Sequence, residues 1–150
     1  MATLEYAIII ATGAHTGQKD KAGAAYILHP LRVMLAQTTT EARIAAVLHD
    51  VVEDSKSWSL DKLREQGFSD AVIGALEAVT KREDEKGSDE GYARFVRRAG
   101  AHPLGRLVKL ADLRDNSDLS RIASPTAEDL ARVEKYRRAL TTLEAMATEP

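Results

Sequence analysis

The stretch "AAVLHDVVED", residues 45–54, decides how this chain is read. It is an aliphatic run of the kind that builds a core. Yet it carries a His-Asp pair and, one helical turn later, a Glu-Asp pair. A core does not accommodate carboxylates without partners. On a continuous helix over 44–54, Ile44, Ala45, Leu48, Val51 and Val52 share one side. His49, Asp50, Glu53 and Asp54 gather opposite, with His49 one turn before Glu53 and Asp50 one turn before Asp54. Adjacent His and Asp can then reach one metal ion, and the Glu-Asp turn stands where it can handle a water bound there. Taken alone, the pattern reads equally well as the solvated face of an amphipathic helix.

The rest of the chain frames that helix. Its 150 residues, 44% hydrophobic and 29% charged, predict one soluble domain spanning 1–150, with a real core. A net charge of −2 leaves no electrostatic footprint for nucleic acid or an anionic membrane. With no cysteine, disulfides, thiolate catalysis and Cys-based zinc sites are excluded. The opening "MATLEYAIIIATGAH" lacks a basic lead and is interrupted by Glu5, so it reads as neither signal peptide nor membrane span; a cytoplasmic protein is expected. The oligomeric state has no sequence signature here.

The pattern predicts helices at about 2–15, 28–37, 40–54, 59–67, 69–81, 89–99, 103–118 and 126–147, and no sheet. Ser59 and Ser69 stand where N-caps belong, and "TAED" at 126–129 reads as a capping box. The last helix places Leu130, Val133, Leu140, Leu143 and Ala147 on one stripe. "KREDEKGSDEG", 81–91, is the most polar connection and is expected to be solvated and mobile.

Two further pieces carry matching chemistry. "YILHP", 26–30, puts His29 before a proline at a helix start, with Tyr26 three residues away and able to line the same pocket. "LVKLADLRDN", 107–116, sets Asp112 behind Leu107, Val108 and Leu110, with Asn116 one turn on. Singly, each reads as a hydrogen-bonded core residue. Together His29, His49, Asp50 and Asp112 form a nitrogen-and-oxygen set suited to manganese, iron or zinc, with positions left open for water. His15 reads as structural, and His102, before Pro103, as a helix start.

In order, "AHTGQKDKAGAAYILHPLRV", "AAVLHDVVED", "AVTK" and "LVKLADLRDN" resemble the HD-type alarmone hydrolase domain of the RelA/SpoT enzymes, most of all its small stand-alone hydrolases. The resemblance covers about residues 7–120. It implies an all-α HD-domain helical bundle in which His29, His49, Asp50 and Asp112 hold one metal, usually Mn²⁺. It also implies that Glu53 and Asp54 position and activate the attacking water, while Lys21 and Asn116 approach a nucleotide substrate. The implied reaction removes the 3′-pyrophosphate of guanosine tetra- or pentaphosphate.

The chain departs from that family around the substrate. Asp20-Lys21 replaces Arg-Lys, Ala25 replaces a proline, and "DNSDLS" brings Asp115 and Asp118 to either side of Asn116. Arginine stacks on bases and grips phosphate in two-point contacts; aspartate does neither. An aspartate facing the substrate repels it unless it binds a cation or points away. Arg32, Lys109, Arg114 and Arg121 could restore positive charge at the mouth. The metal core is therefore expected intact, with the substrate a guanosine or adenosine alarmone or another phosphate ester. The alternatives are an HD-type phosphomonoesterase acting on another nucleotide and a non-catalytic nucleotide-binding HD module.

Overall fold

Side-chain caps start most of the helices. The computed structural model describes residues 1–148. Thr3, Thr39, Ser59, Ser69 and Ser88 each accept a backbone N–H three residues on, which satisfies a donor that the first helical turn leaves free. His102 does the same through Nδ1, accepting from Gly105 N–H at 3.1 Å. Thr126 and Asp129 form the expected reciprocal box. The resulting helices are α1 (Leu4–Ala14), α2 (Leu28–Leu35), α3 (Thr40–Leu48), α4 (Val51–Asp54), α5 (Leu60–Glu65), α6 (Asp70–Val79), α7 (Asp89–Ala101), α8 (Pro103–Asn116) and α9 (Ala127–Thr148). Among the described residues there is no strand, only an isolated bridge between Lys19 and Ala25. The all-α expectation therefore holds. Among the described residues, no helix is long and apolar enough to cross a membrane.

α3 is the hub. It packs against α1, α2, α6 and α8, and Ile44 through Leu48 are all buried, so beyond its first turn it has no solvated face. A second apolar cluster joins α7, α8 and α9 through Val96, Leu110, Leu113, Ala139 and Leu143. Burying a leucine such as Leu143 contributes about 1.5–3 kcal/mol. Gly100 lets α9 come this close, because a Cβ there would lie 2.8 Å from Leu143 Cδ2. The α9 stripe begins at Val133. Leu130 is 54% exposed, because the first turn of α9 lies outside this cluster. Leu107 is likewise 49% exposed, which leaves Val108 and Leu110 as the apolar cover over Asp112.

The structure changes the reading of 40–54. In place of one helix, α3 stops at Leu48, His49-Asp50 form a turn, and α4 restarts at Val51. The cause is local: His49 Nδ1 donates to Ala46 O at 2.6 Å, and the His49 backbone N–H points to the same oxygen at 3.3 Å. In a continuous helix that oxygen would accept from Asp50 N–H. The histidine thus breaks the helix that carries it.

The 81–91 connection is only partly solvated. Glu85 is buried, and its carboxylate accepts from Arg98 at 2.6 and 3.0 Å. Arg98 also donates to Glu77 O and Thr80 O. This clamp ties the end of α6 to α7 and sets the position of Lys81 beneath Glu53.

Candidate metal centre

Three segments distant in sequence converge on one point. His29 comes from the first turn of α2, His49 and Asp50 from the break between α3 and α4, and Asp112 from the middle of α8. One ligand atom each from His29, His49 and Asp50 lies within 4.8 Å of the other two. Asp112 Oδ1 is 3.0 Å from His29 Nε2 and 3.4 Å from His49 Nε2. Asp50 Oδ2 is 3.1 Å from His49 Nε2 and 3.7 Å from His29 Nε2. Such separations match donors arranged about a shared centre at roughly 2.1 Å. His29, His49 and Asp112 are 4%, 3% and 6% exposed, so a solvated helix face is ruled out for them.

Hydrogen bonding decides which ring nitrogens are free. His49 Nδ1 donates to Ala46 O, which leaves a lone pair on Nε2. That atom is buried and has no hydrogen-bond partner, and it faces two carboxylates. A ring nitrogen against two anions calls for a cation there, a proton or a metal ion. Burial opposes charging His49, yet Asp50 and then Asp112 outweigh it and raise its pKa well above the ordinary imidazole value. Asp112 shows the converse: burial pushes its carboxyl up, but Lys109 and the two histidines hold it well below the usual range. Two imidazoles and two carboxylates in a dry setting are a donor set for a first-row divalent ion, and the residues present fit one.

The other expected site residues are placed as follows. Tyr26 donates to Asp50 Oδ2 at 2.5 Å, and burial together with Asp50 pushes its hydroxyl pKa up. Asn116 Nδ2 donates to Asp112 Oδ1 at 2.9 Å. Glu53 lines a cavity beside His49 and Asp50, and its Oε1 accepts the Lys81 N–H at 2.8 Å. Asp54 turns instead to the 15–18 loop, accepting from Gln18 Nε2 at 3.1 Å with His15 Nδ1 3.8 Å away. The Glu-Asp pair is therefore split. Burial pushes both carboxyls above the ordinary range, while the Lys81 N–H and the Gln18 amide pull the other way. Lys21 is exposed on the wall of a larger cavity of about 400 Å³, which His29, Tyr26 and Asn116 also line.

The acidic departures are engaged locally. Asp20 Oδ1 accepts the N–H groups of Ala22 and Ala24, closing a turn in which Gly23 holds φ at 87°. Asp118 caps its own short turn through Ser120 N–H and pairs with Arg121 at 3.0 Å. Of the candidate cations, Arg32 and Arg121 reach the larger cavity. Lys109 is committed to Asp112 at 2.9 Å, and Arg114 points to Glu144 on α9.

Asp115, which reads from sequence as a repulsive intruder, does something else. Its Oδ2 accepts from His29 Nδ1 at 2.6 Å, which fixes the tautomer that frees Nε2. Arg32 grips the same carboxylate with Nε at 2.7 Å and Nη2 at 3.1 Å, and Arg121 donates to Asp115 O. Burial acts to raise the Asp115 carboxyl, but His29 and Arg32 hold its pKa at about 2. The signal was present in the spacing: Asp115 follows Asp112 by three on α8, and Arg32 follows His29 by three on α2. Replacing Asp115 by alanine is expected to weaken divalent-ion affinity about 10–100-fold, as read by chelator competition. Unchanged affinity would remove this role.

No family model matches the chain. A GTP pyrophosphokinase of Streptomyces coelicolor is 34% identical over 96% of the chain. A guanosine-3′,5′-bis(diphosphate) 3′-pyrophosphohydrolase of Aquifex aeolicus is 35% identical over 68%. The bifunctional (p)ppGpp synthase/hydrolase SpoT of Escherichia coli is 32% identical over 75%. The chain spans only 17%, 15% and 17% of these three relatives' own lengths.

Proposed function

We propose that this chain, which belongs to the RelA/SpoT-type alarmone hydrolase family, removes the 3′-pyrophosphate from guanosine tetra- or pentaphosphate or its adenosine counterpart. In this reading His29, His49, Asp50 and Asp112 hold a divalent ion, Mn²⁺ first and Fe²⁺ or Zn²⁺ as alternatives. The observation that carries it is the buried, unpartnered Nε2 of His49 between two carboxylates. When bound there, such an ion acidifies water and polarises a phosphoryl oxygen.

The side chains supply the rest. A water oxygen bonds to the phosphorus next to the ribose, the bond from that phosphorus to the 3′-oxygen breaks, and the 3′-oxygen is protonated. Glu53 accepts the water's proton. Burial raises its carboxyl above the ordinary glutamate range, in the direction a general base needs, and the Lys81 N–H holds it in place. Asp54 acts with it through the Gln18 contact, orienting this wall of the site. Tyr26 and Asn116 hold Asp50 and Asp112 in position and face the larger cavity together with Lys21. At about 400 Å³, that cavity is of a size to take a nucleoside with its 5′-phosphates.

A product assay tests this reading. Protein with Mn²⁺ is incubated with guanosine and adenosine 3′-pyrophosphates and with simple mononucleotides, and the two phosphate products are measured separately. Pyrophosphate released with a matching nucleoside 5′-phosphate is the expected result. Orthophosphate alone would mean a phosphomonoesterase, and no release of either would mean a binding module.

A further inference from the structure

A second, smaller cavity of about 180 Å³ lies beside the metal-ligand set and next to the nucleoside-sized one. His49, Asp50 and Asp112 form one wall. Lys81, Lys109 and Lys135, brought from just beyond α6, from α8 and from α9, line it as well. Tyr26, Asn116 and Tyr136 line both cavities, so the two adjoin.

Two of the three lysines are not engaged by a carboxylate. Lys109 is paired with Asp112, but among the described residues Lys81 and Lys135 make no ion pair. Their ammonium groups rest on aromatic faces instead. Lys135 Nζ lies 3.9 Å from the centre of the Tyr92 ring, Lys81 Nζ 5.3 Å from the same ring, and Lys109 Nζ 4.7 Å from the Phe95 ring. The hydroxyl of Tyr92, on the same cavity wall, is buried and has no hydrogen-bond partner. Burial, and after it Lys135 and Lys109, lower the Lys81 pKa. With a divalent ion opposite, the three lysines face three carboxylates, Asp50, Asp112 and Glu53, and the cavity carries a surplus of positive charge.

We infer that this cavity receives the pyrophosphoryl group during its transfer to water, with Lys81 and Lys135 binding its outer phosphate and the Tyr92 hydroxyl donating to it. The inference rests on the hydrolase reading above and deepens it by dividing the substrate between two chambers. The nucleoside and its 5′-phosphates occupy the larger, and the group to be released occupies the smaller. At about 180 Å³ the small chamber lies below the roughly 300–1,000 Å³ of pockets that take whole ligands, so it admits a diphosphate but not a nucleotide. It would also make pyrophosphate a tighter product inhibitor than orthophosphate, since only the diphosphate reaches both the ion and the lysines.

Inorganic pyrophosphate is the probe. Titrated calorimetrically into Mn²⁺-loaded protein, it should bind more tightly than orthophosphate. Lys135→Met and Lys81→Met should each weaken pyrophosphate binding about tenfold, the scale of one charge-assisted contact. Both should leave GDP affinity and bound metal within twofold. Tyr92→Phe should cost a smaller factor in the same direction. Pyrophosphate binding unchanged in the Lys81→Met/Lys135→Met double variant, with its helical circular dichroism retained, would overturn the assignment. Equal loss of GDP binding would overturn it too. If the wild type binds pyrophosphate through these lysines but releases none from any nucleotide, the hydrolase reading fails and the anion chamber stands.

Discussion

His49→Ala is expected to lose the metal and, with it, all measurable turnover. The substitution removes a ligand whose Nε2 lies 3.1 and 3.4 Å from the Asp50 and Asp112 carboxylates. It also removes the Nδ1 bond to Ala46 O that turns the chain at the α3–α4 break, so Asp50 loses its orientation together with the imidazole. The remaining carboxylates would face each other across a buried gap without a cation. Metal content by elemental analysis should fall from near one per chain to background after dialysis. Added Mn²⁺ should not restore activity below millimolar concentration. Full activity in this variant would dismiss the site altogether. Stability should respond as well: wild-type protein should gain several degrees in melting temperature on addition of Mn²⁺, because a ligand that binds only the folded chain stabilises it, and the variant should gain none.

Glu53→Gln separates chemistry from metal binding. Glutamine keeps an oxygen that can accept the Lys81 N–H, so the wall that Glu53 forms should stay in place. It cannot take a proton. Turnover should therefore fall about 10²–10⁴-fold, the usual worth of a positioned general base, with bound metal nearly stoichiometric and nucleotide affinity little changed. Loss of metal would instead move Glu53 among the ligands. Retained turnover would shift the base role to Asp54, which points toward Gln18 and His15. The pH profile is a further check. Burial raises the Glu53 carboxyl, so the ascending limb of activity, where the base must be ionised, should lie above the ordinary glutamate range. Glu53→Gln should erase that limb from whatever activity remains.

Much of this was legible in one dimension because the relevant rules are local. Capping at Ser59, Ser69 and Thr126 depends on residues three apart, and the structure places each cap where the spacing predicts it. The helical periodicity and the absence of alternating strands likewise follow from short-range pattern. The His-Asp pair, with His29 and Asp112 supplying matching donors, named two imidazoles and two carboxylates that the fold brings close together.

Other features depended on distance in space. The break at His49-Asp50 follows from a ring nitrogen competing for a backbone carbonyl, which helix propensity does not record. Asp20 and Asp118 read as repulsive because their charge is visible in the sequence while their backbone partners are not. Asp115 changed meaning most. Its charge matters only because α2 and α8 pack so that His29 and Arg32 flank it, residues 83 to 86 positions away. The clamp of Glu85 by Arg98, which turned an apparently free loop into a fixed one, has the same origin. So do the gathering of three lysines around one cavity and the parting of Glu53 from Asp54. Composition and spacing state which groups a chain possesses and which helix faces they occupy. Which charges become partners depends on the long-range packing of α3, α8 and α9, since an ion pair or a ligand shell is a relation between atoms within about 4 Å of each other, whatever their separation along the chain.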